Sequence, residues 1–178
     1  MAKKPNKKQL EELVNQLQEQ LHEKEAQLEA MSWNDAYGCH TREGFQKQVW
    51  PKIASKAKWI IYLDIDNMNK LNERYGHSGV DARIKESLMN LRESDVAAGQ
   101  RYSGDEIFVC ITEDGSREPV DQNAFCERLK ETFIKNGVPA TFAVVPVTSL
   151  NLMENLEPAV QIVEEAKKAN GRGRIYFE

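Results

Sequence analysis

No apolar run in this 178-residue sequence approaches the roughly 18 consecutive residues of a bilayer-spanning helix. The lysine-rich start is not followed by the apolar core of an export signal. Membrane insertion and export are therefore not expected, and a cytoplasmic setting is. Cysteine is scarce: Cys39, Cys110 and Cys126 are far apart and odd in number. That excludes a disulfide framework and a zinc-ligand spacing, and it leaves buried or idle thiols in a reducing compartment. An excess of charge of one sign is missing too. A net charge of −4 gives no push toward nucleic acid or anionic membrane. Internal repeats and low-complexity linkers are absent. With 40% hydrophobic and 29% charged residues, the chain can bury one real core. Its length suits one domain plus an appendage.

The appendage is the segment in which glycine and proline are absent. From Lys7 to Met31 the sequence is built of Gln, Glu, Leu and Lys, all good helix formers. Val14, Leu21 and Leu28 recur at one heptad position, and Leu10, Leu17, Lys24 and Met31 at another. The seam is narrow, and Lys24 is its one polar member. This predicts a coiled-coil helix over 9–31, preceded by a solvated basic tail over 1–8 and pairing the chain into a homodimer. The alternative is an amphipathic helix folded back onto its own domain.

Composition changes at Ser32, and 32–178 reads as a single domain. Thr41 is placed to cap a helix carrying Phe45 and Val49, with Pro51 as a break or kink. Trp59–Leu63, Glu106–Thr112, Thr141–Val147 and Arg174–Phe177 read as strands. Met68–Arg74, Val80–Arg92, Asn123–Lys135 and Leu156–Ala169 read as helices, with Gly76-His77 and Gly79 forming the turn between the first two. The mixture implies a single-sheet α/β sandwich.

The chemistry gathers at strand ends. The first strand runs into Asp64-Ile65-Asp66, where Asp64 and Asp66 share a face and Ile65 points away. Ser103-Gly104-Asp105-Glu106 precedes the second strand. If a strand also precedes Ser103, a hairpin brings Asp105 and Glu106 beside Asp64. Crowded carboxylates repel unless a cation offsets them, and an all-oxygen set suits a hard divalent ion such as Mg²⁺. Each pair also has a purely structural reading, Asp-x-Asp as a helix cap and Gly-Asp as a turn.

Taken together, these segments resemble a known family. Tyr62 to Asp81 (Tyr-Leu-Asp-Ile-Asp-Asn-Met-Asn-Lys-Leu-Asn-Glu-Arg-Tyr-Gly-His-Ser-Gly-Val-Asp) is similar to the first signature of GGDEF domains, the diguanylate cyclases. Arg101-Tyr-Ser-Gly-Asp-Glu-Ile107 resembles the segment that names the family, with Ser103 for its first glycine and Ile107 for its phenylalanine. Asp35 to Phe45 resembles the opening motif, one residue shorter, and Lys168-Ala-Asn-Gly-Arg172 the closing one.

The resemblance implies a palm-like fold of the nucleotide cyclase and polymerase type. It implies two domains facing each other, each bringing one GTP, to form cyclic di-GMP. Asp64, Asp105 and the Ile65 carbonyl would hold Mg²⁺ (or Mn²⁺), and Glu106 would act beside the metal on the attacking 3′-hydroxyl. Asn72 and Asp81 would read guanine, and Lys168 and Arg172 would offset triphosphate charge, with Lys167 a possible substitute. Arg92 and Asp95 resemble a product-inhibition site. Asn69 departs from the family's lysine, and Ser103 and Ile107 depart from its signature. Four readings follow: a diguanylate cyclase; a degenerate module that binds GTP or cyclic di-GMP; a palm nucleotidyltransferase making another cyclic nucleotide or oligonucleotide; and a coiled-coil adaptor with an inert domain.

Overall fold

The computed structural model describes residues 7–34, 36–89, 91, 96–100, 104–113, 115 and 118–178, with the backbone alone for 28–31. Helix α1 spans Lys7–Ser32, so Lys7 and Lys8 belong to the helix rather than to a tail. Its seam residues Leu10, Val14, Leu17 and Leu21 are each about half exposed or more, from 47% to 60%. This part of the helix therefore does not fold back onto the domain.

The domain begins with two short strands absent from the sequence reading, β1 (Trp33–Asn34) and β2 (Cys39–His40), joined through Gly38 at φ +67°. Thr41 caps α2 (Arg42–Gly44), its hydroxyl accepting from the Gly44 N–H at 3.1 Å. A π-helical turn (Phe45–Val49) then leads into α3 (Trp50–Ile53). Pro51 follows the π-helical turn directly, and the backbone stays right-handed helical through Val49, Trp50 and Ala54, so Pro51 does not break the helix. The remaining strands are β3 (Ala57–Ile65), β4 (Val96–Gln100), β5 (Glu106–Thr112), β6 (Ala140–Pro146) and β7 (Ile175–Phe177). Among them lie α4 (Met68–Tyr75), α5 (His77–Met89), α6 (Gln122–Lys135) and α7 (Leu152–Lys168). Only Gly76, at φ +72°, separates α4 from α5; His77 and Gly79 are helical, not part of the turn.

Among the described residues, the seven strands form one mixed sheet in the order β1-β2-β4-β5-β3-β6-β7. Antiparallel β3, β5 and β6 make its centre, and β7 adds parallel to β6. Side-chain alternation along β3 splits the core in two. Ile61, Leu63 and Ile65 pack with Ile84, Leu88, Phe125, Leu129 and Phe133 of α5 and α6. Ile60 and Tyr62 pack on the opposite face with Phe45, Trp50 and the apolar stripe Leu156, Ala159, Val160 and Val163 of α7. The three thiols are buried and free, and burial holds each near pKa 12. The result is the expected single-sheet α/β sandwich behind a long N-terminal helix.

Candidate functional site

The apolar run of β3 places its acidic end at one edge of the sheet. Continuing the alternation, Asp64 and Asp66 fall on the face covered by α7, while Ile65 is buried on the other. Register then sets the neighbours: Asp64 lies opposite Glu106 on β5 and opposite Thr141 on β6. The hairpin tip is tied down by the Ile65 N–H, which donates to the Asp105 carbonyl at 2.9 Å. The hairpin thus delivers Asp105 and Glu106 to the end of β3. Tyr62, one pleat back on the same face, donates its hydroxyl to Glu106 Oε1 at 2.8 Å and fixes that carboxylate.

The two aspartates at the end of β3, Asp64 within it and Asp66 just beyond, have different tasks. Asp66 is 3% exposed and accepts from the Thr141 hydroxyl at 2.9 Å and the Gly173 N–H at 3.0 Å. It ties the turn after α7 to the ends of β3 and β6, which is a structural role. Asp64 is half-buried and faces the space above the strand ends. Burial raises its carboxyl above the ordinary value, and Asp105 and Glu106 push in the same direction, while the Lys167 ammonium opposes them.

Lys167 is the cation at the centre. Its Nζ lies 2.6 Å from Asp64 Oδ1, donates to the Ile65 carbonyl at 3.1 Å, and lies 3.4 Å from Asp66 Oδ1. The closing motif points to Lys168, while helix phase brings its neighbour Lys167 to Asp64. Val163 and Ala166 are buried against the sheet, and Lys167, four residues after Val163, lies at the boundary of that buried face. Lys168 is turned outward, exposed, and 3.8 Å from Glu164. Arg172 is exposed in the turn that follows.

On the other side of the hairpin tip, Tyr37 joins three segments distant in sequence. Its phenol hydrogen-bonds to Asp81 on α5, and burial together with that partner pushes its pKa up to about 12. A Cβ on Gly104 would run into the Tyr37 hydroxyl, so the turn can approach this closely only as glycine. Asp81 and Asn72 are half-buried on adjoining helices. Sequence reasoning did not single out Tyr37, since a tyrosine in a short loop carries no periodic signal. Ser103, Arg92 and Asp95 lie outside the described residues.

The donors around Lys167 test whether a divalent ion fits. The Asp64 carboxylate and the Ile65 carbonyl already hold a cation between them, and all the donors are oxygens, as a hard ion requires. The crowding foreseen from sequence is looser than expected. Among the described residues, no three His, Cys, Asp or Glu side chains converge into a metal-holding group. Asp66 is drawn off by Thr141 and Gly173, and the Ile65 carbonyl supplies the missing donor.

This arrangement matches the family profile described as "Diguanylate cyclase, GGDEF domain" over residues 38–170. The chain belongs to the GGDEF family. It is 29% identical over 130 residues to Diguanylate cyclase A of Treponema denticola, covering 65% of this chain and 34% of that protein. It is 28% identical over 183 residues to the Cyclic di-GMP phosphodiesterase NbdA of Pseudomonas aeruginosa, covering 92% and 23%. The chain thus spans about a third and about a quarter of the curated relatives it matches. Among solved structures, a microbial GGDEF domain with bis-cyclic di-GMP superposes with a TM-score of 0.67 at 15% identity, covering 86% of this chain and 99% of that one. The coiled coil and GGDEF domain of DgcB from Caulobacter crescentus, in complex with c-di-GMP, gives 0.64 at 14% identity, covering 95% and 96%. These likenesses show the palm-like GGDEF fold. Among the described residues, no helix of this GGDEF chain is long and apolar enough to cross a membrane.

Proposed function

We propose that this GGDEF chain is a diguanylate cyclase that condenses two GTP into cyclic di-GMP with Mg²⁺ or Mn²⁺, across a homodimer held by α1. The observation that carries the reading is the register pairing of Asp64 with Glu106, with Asp105 at the hairpin tip beside them. Asp64, Asp105 and the Ile65 carbonyl are the groups to hold the ion. When bound, the ion supplies charge to offset the phosphates and lowers the pKa of the attacking 3′-hydroxyl. Glu106, fixed by Tyr62, is the group to take that proton. Asp81 and Asn72 are the guanine-reading groups: a carboxylate accepts from N1–H and the N2 amine, and an amide can meet O6 or N7. Lys168 and Arg172, both exposed near the site, extend the positive charge available to a triphosphate. Each domain brings one nucleotide, so assembly contributes chiefly by proximity. The exposure of the α1 seam residues Leu10, Val14, Leu17 and Leu21, each about half or more, supports pairing through that helix.

A second reading has its own observation. Lys167 sits where the ion is expected, which favours a module that binds GTP or cyclic di-GMP without turning over. Incubating purified dimer with GTP or ATP and Mg²⁺, with mass-spectrometric product analysis, separates the two. Cyclic di-GMP from GTP alone supports the cyclase. Tight GTP binding with no dinucleotide product supports the module and sinks the cyclase.

A further inference from the structure

The Lys167 ammonium touches the same two oxygens, one from the Asp64 carboxylate and one from the Ile65 carbonyl, that a divalent ion would use. An ion bound to both would lie about 2.0–2.1 Å from each oxygen. On the side of those oxygens where Nζ stands, 2.6 Å from one and 3.1 Å from the other, ion and ammonium compete for the same space. The ammonium is well placed to leave. It ends a flexible four-carbon stem in the last turn of α7, with its side chain still 17% exposed. A triphosphate arriving there supplies oxygens that can receive it, and the vacated oxygens can receive the ion.

We propose that Lys167 is a tethered cation that occupies the ion's position in the nucleotide-free protein and moves onto the phosphates when nucleotide and metal bind together. The inference rests on the reading of this site as a divalent-ion site. Its consequence is thermodynamic coupling: nucleotide raises the affinity for metal by displacing the competitor, and metal must raise the affinity for nucleotide by the same factor. Asp64, Ile65 and Asp66 are then held together without metal, so the nucleotide-free fold does not depend on an ion to offset the two aspartates.

The test is a Mn²⁺ titration followed by electron paramagnetic resonance, on full-length protein with and without a non-hydrolysable GTP analogue. Lys167→Met keeps the stem and removes the charge; Lys167→Arg keeps the charge; Lys167→Ala is a second neutral variant. Circular dichroism and thermal melts show which variants are folded. Without nucleotide, the neutral variants should bind Mn²⁺ about tenfold more tightly than wild type, within the range usual for coupled sites. Lys167→Arg should stay near wild type. With metal saturating, the neutral variants should bind the GTP analogue more weakly, and the factor by which the analogue tightens Mn²⁺ binding should shrink about tenfold, whereas a lysine that stays in place leaves that factor unchanged. Equal Mn²⁺ affinity in wild type and the neutral variants overturns the inference and leaves the cyclase reading standing. If wild type with the GTP analogue binds no Mn²⁺ at all, the metal site itself is refuted, and this inference with it.

Discussion

Tyr37 in the loop between β1 and β2 hydrogen-bonds to Asp81 on α5, and its hydroxyl fills the space above Gly104. One phenol therefore links the proposed guanine-reading helix to the hairpin that carries Asp105 and Glu106. With its pKa near 12, Tyr37 is neutral and a donor throughout the physiological range. Hydrogen bonds to charged partners contribute about 1.5–3 kcal/mol, and the half-buried setting places this one toward the lower end. Tyr37→Phe should leave Asp81 less well oriented and lower GTP affinity by about tenfold, which corresponds to roughly 1.4 kcal/mol. ATP binding should change little, so calorimetry with both nucleotides should show reduced guanine preference. An equal loss for ATP and GTP would mean that Tyr37 shapes the site without positioning Asp81.

Gly104 supplies the complementary test. Adding a methyl group there drives it into the Tyr37 hydroxyl and ring, and displacing a packed side chain costs about 1–3 kcal/mol. Gly104→Ala should destabilise the domain by that amount in urea unfolding. In a Tyr37→Ala background the same substitution should cost much less, because its obstacle is gone. Additive losses in the double mutant would place the cause in the turn's backbone instead.

The exposed seam of α1 yields a solution measurement. Deleting residues 1–31 should convert a dimer into a monomer by light scattering and lower turnover per domain at dilute concentration, since the proposed reaction brings two nucleotide sites together. Lys24 occupies a seam position and hydrogen-bonds only weakly with Gln27, at 3.4 Å. Lys24→Leu should strengthen the dimer, because an ammonium drawn into an apolar seam is costly. A truncated chain that stays dimeric would assign assembly to the domain surface.

The parts of this structure legible in the sequence are those specified by a single local pattern. Glu106–Thr112 is a run of apolar and β-branched residues, and the observed strand has the same bounds. The long helix follows from the absence of glycine and proline, and the Thr41 cap from one hydroxyl at the right place. What escaped depends on contacts between distant segments. Two-residue strands such as Trp33–Asn34 and Cys39–His40 are too short to show a period, and they exist because β4 offers an edge to pair with. Between Lys167 and Lys168 the motif spacing pointed to one and helix phase to the other. The phase was readable from Val163 and Ala166 only once α7 was known to lie on the face that Asp64 shares. Likewise, Asp66 looked equivalent to Asp64 along the strand. Thr141 and Gly173, which make it structural, come from elements 75 and 107 residues away.

His40 gives the protein a pH dependence at the junction of α1 with the domain. Its ring stands edge-on to Trp33, with centroids 4.9 Å apart, and to Phe45 at 6.1 Å; its Nδ1 is buried with no hydrogen-bond partner among the described residues. Burial lowers its pKa below the ordinary 6.5, and a hydrogen bond to the Ser32 backbone opposes this only in part. As pH falls through 6.5, the unfolded chain takes up a proton at this position before the folded chain does, so stability declines. The decline continues until the depressed folded pKa is passed. His40→Gln cannot titrate, so its melting temperature should fall less between pH 7.5 and pH 5.5 than that of wild type. Parallel curves for the two proteins would show that His40 is not a source of the acid sensitivity.

Glu106 separates binding from chemistry. In the proposed function, ground-state binding of GTP would rest on Asn72 and Asp81 toward the base, on cations toward the phosphates, and on an ion held by Asp64, Asp105 and the Ile65 carbonyl. None of these requires the Glu106 carboxylate to accept a proton. Its demand arises as the 3′-hydroxyl ionises, so an interaction made mainly in the transition state is lost when that acceptor is neutralised. Glu106→Gln keeps the shape and retains an oxygen that can accept from the Tyr62 hydroxyl, so the fold should survive. Removing general-base assistance typically costs about 10²–10⁴-fold in rate. Turnover of GTP to cyclic di-GMP should therefore fall by that factor, while GTP affinity measured by calorimetry with Mg²⁺ changes by no more than about tenfold. Tyr62→Phe releases the carboxylate without removing it and should give a smaller loss of turnover in the same assay. If Glu106→Gln instead weakens GTP binding as much as it lowers turnover, its carboxylate belongs to the ground-state nucleotide or metal contacts, and the base must be sought elsewhere.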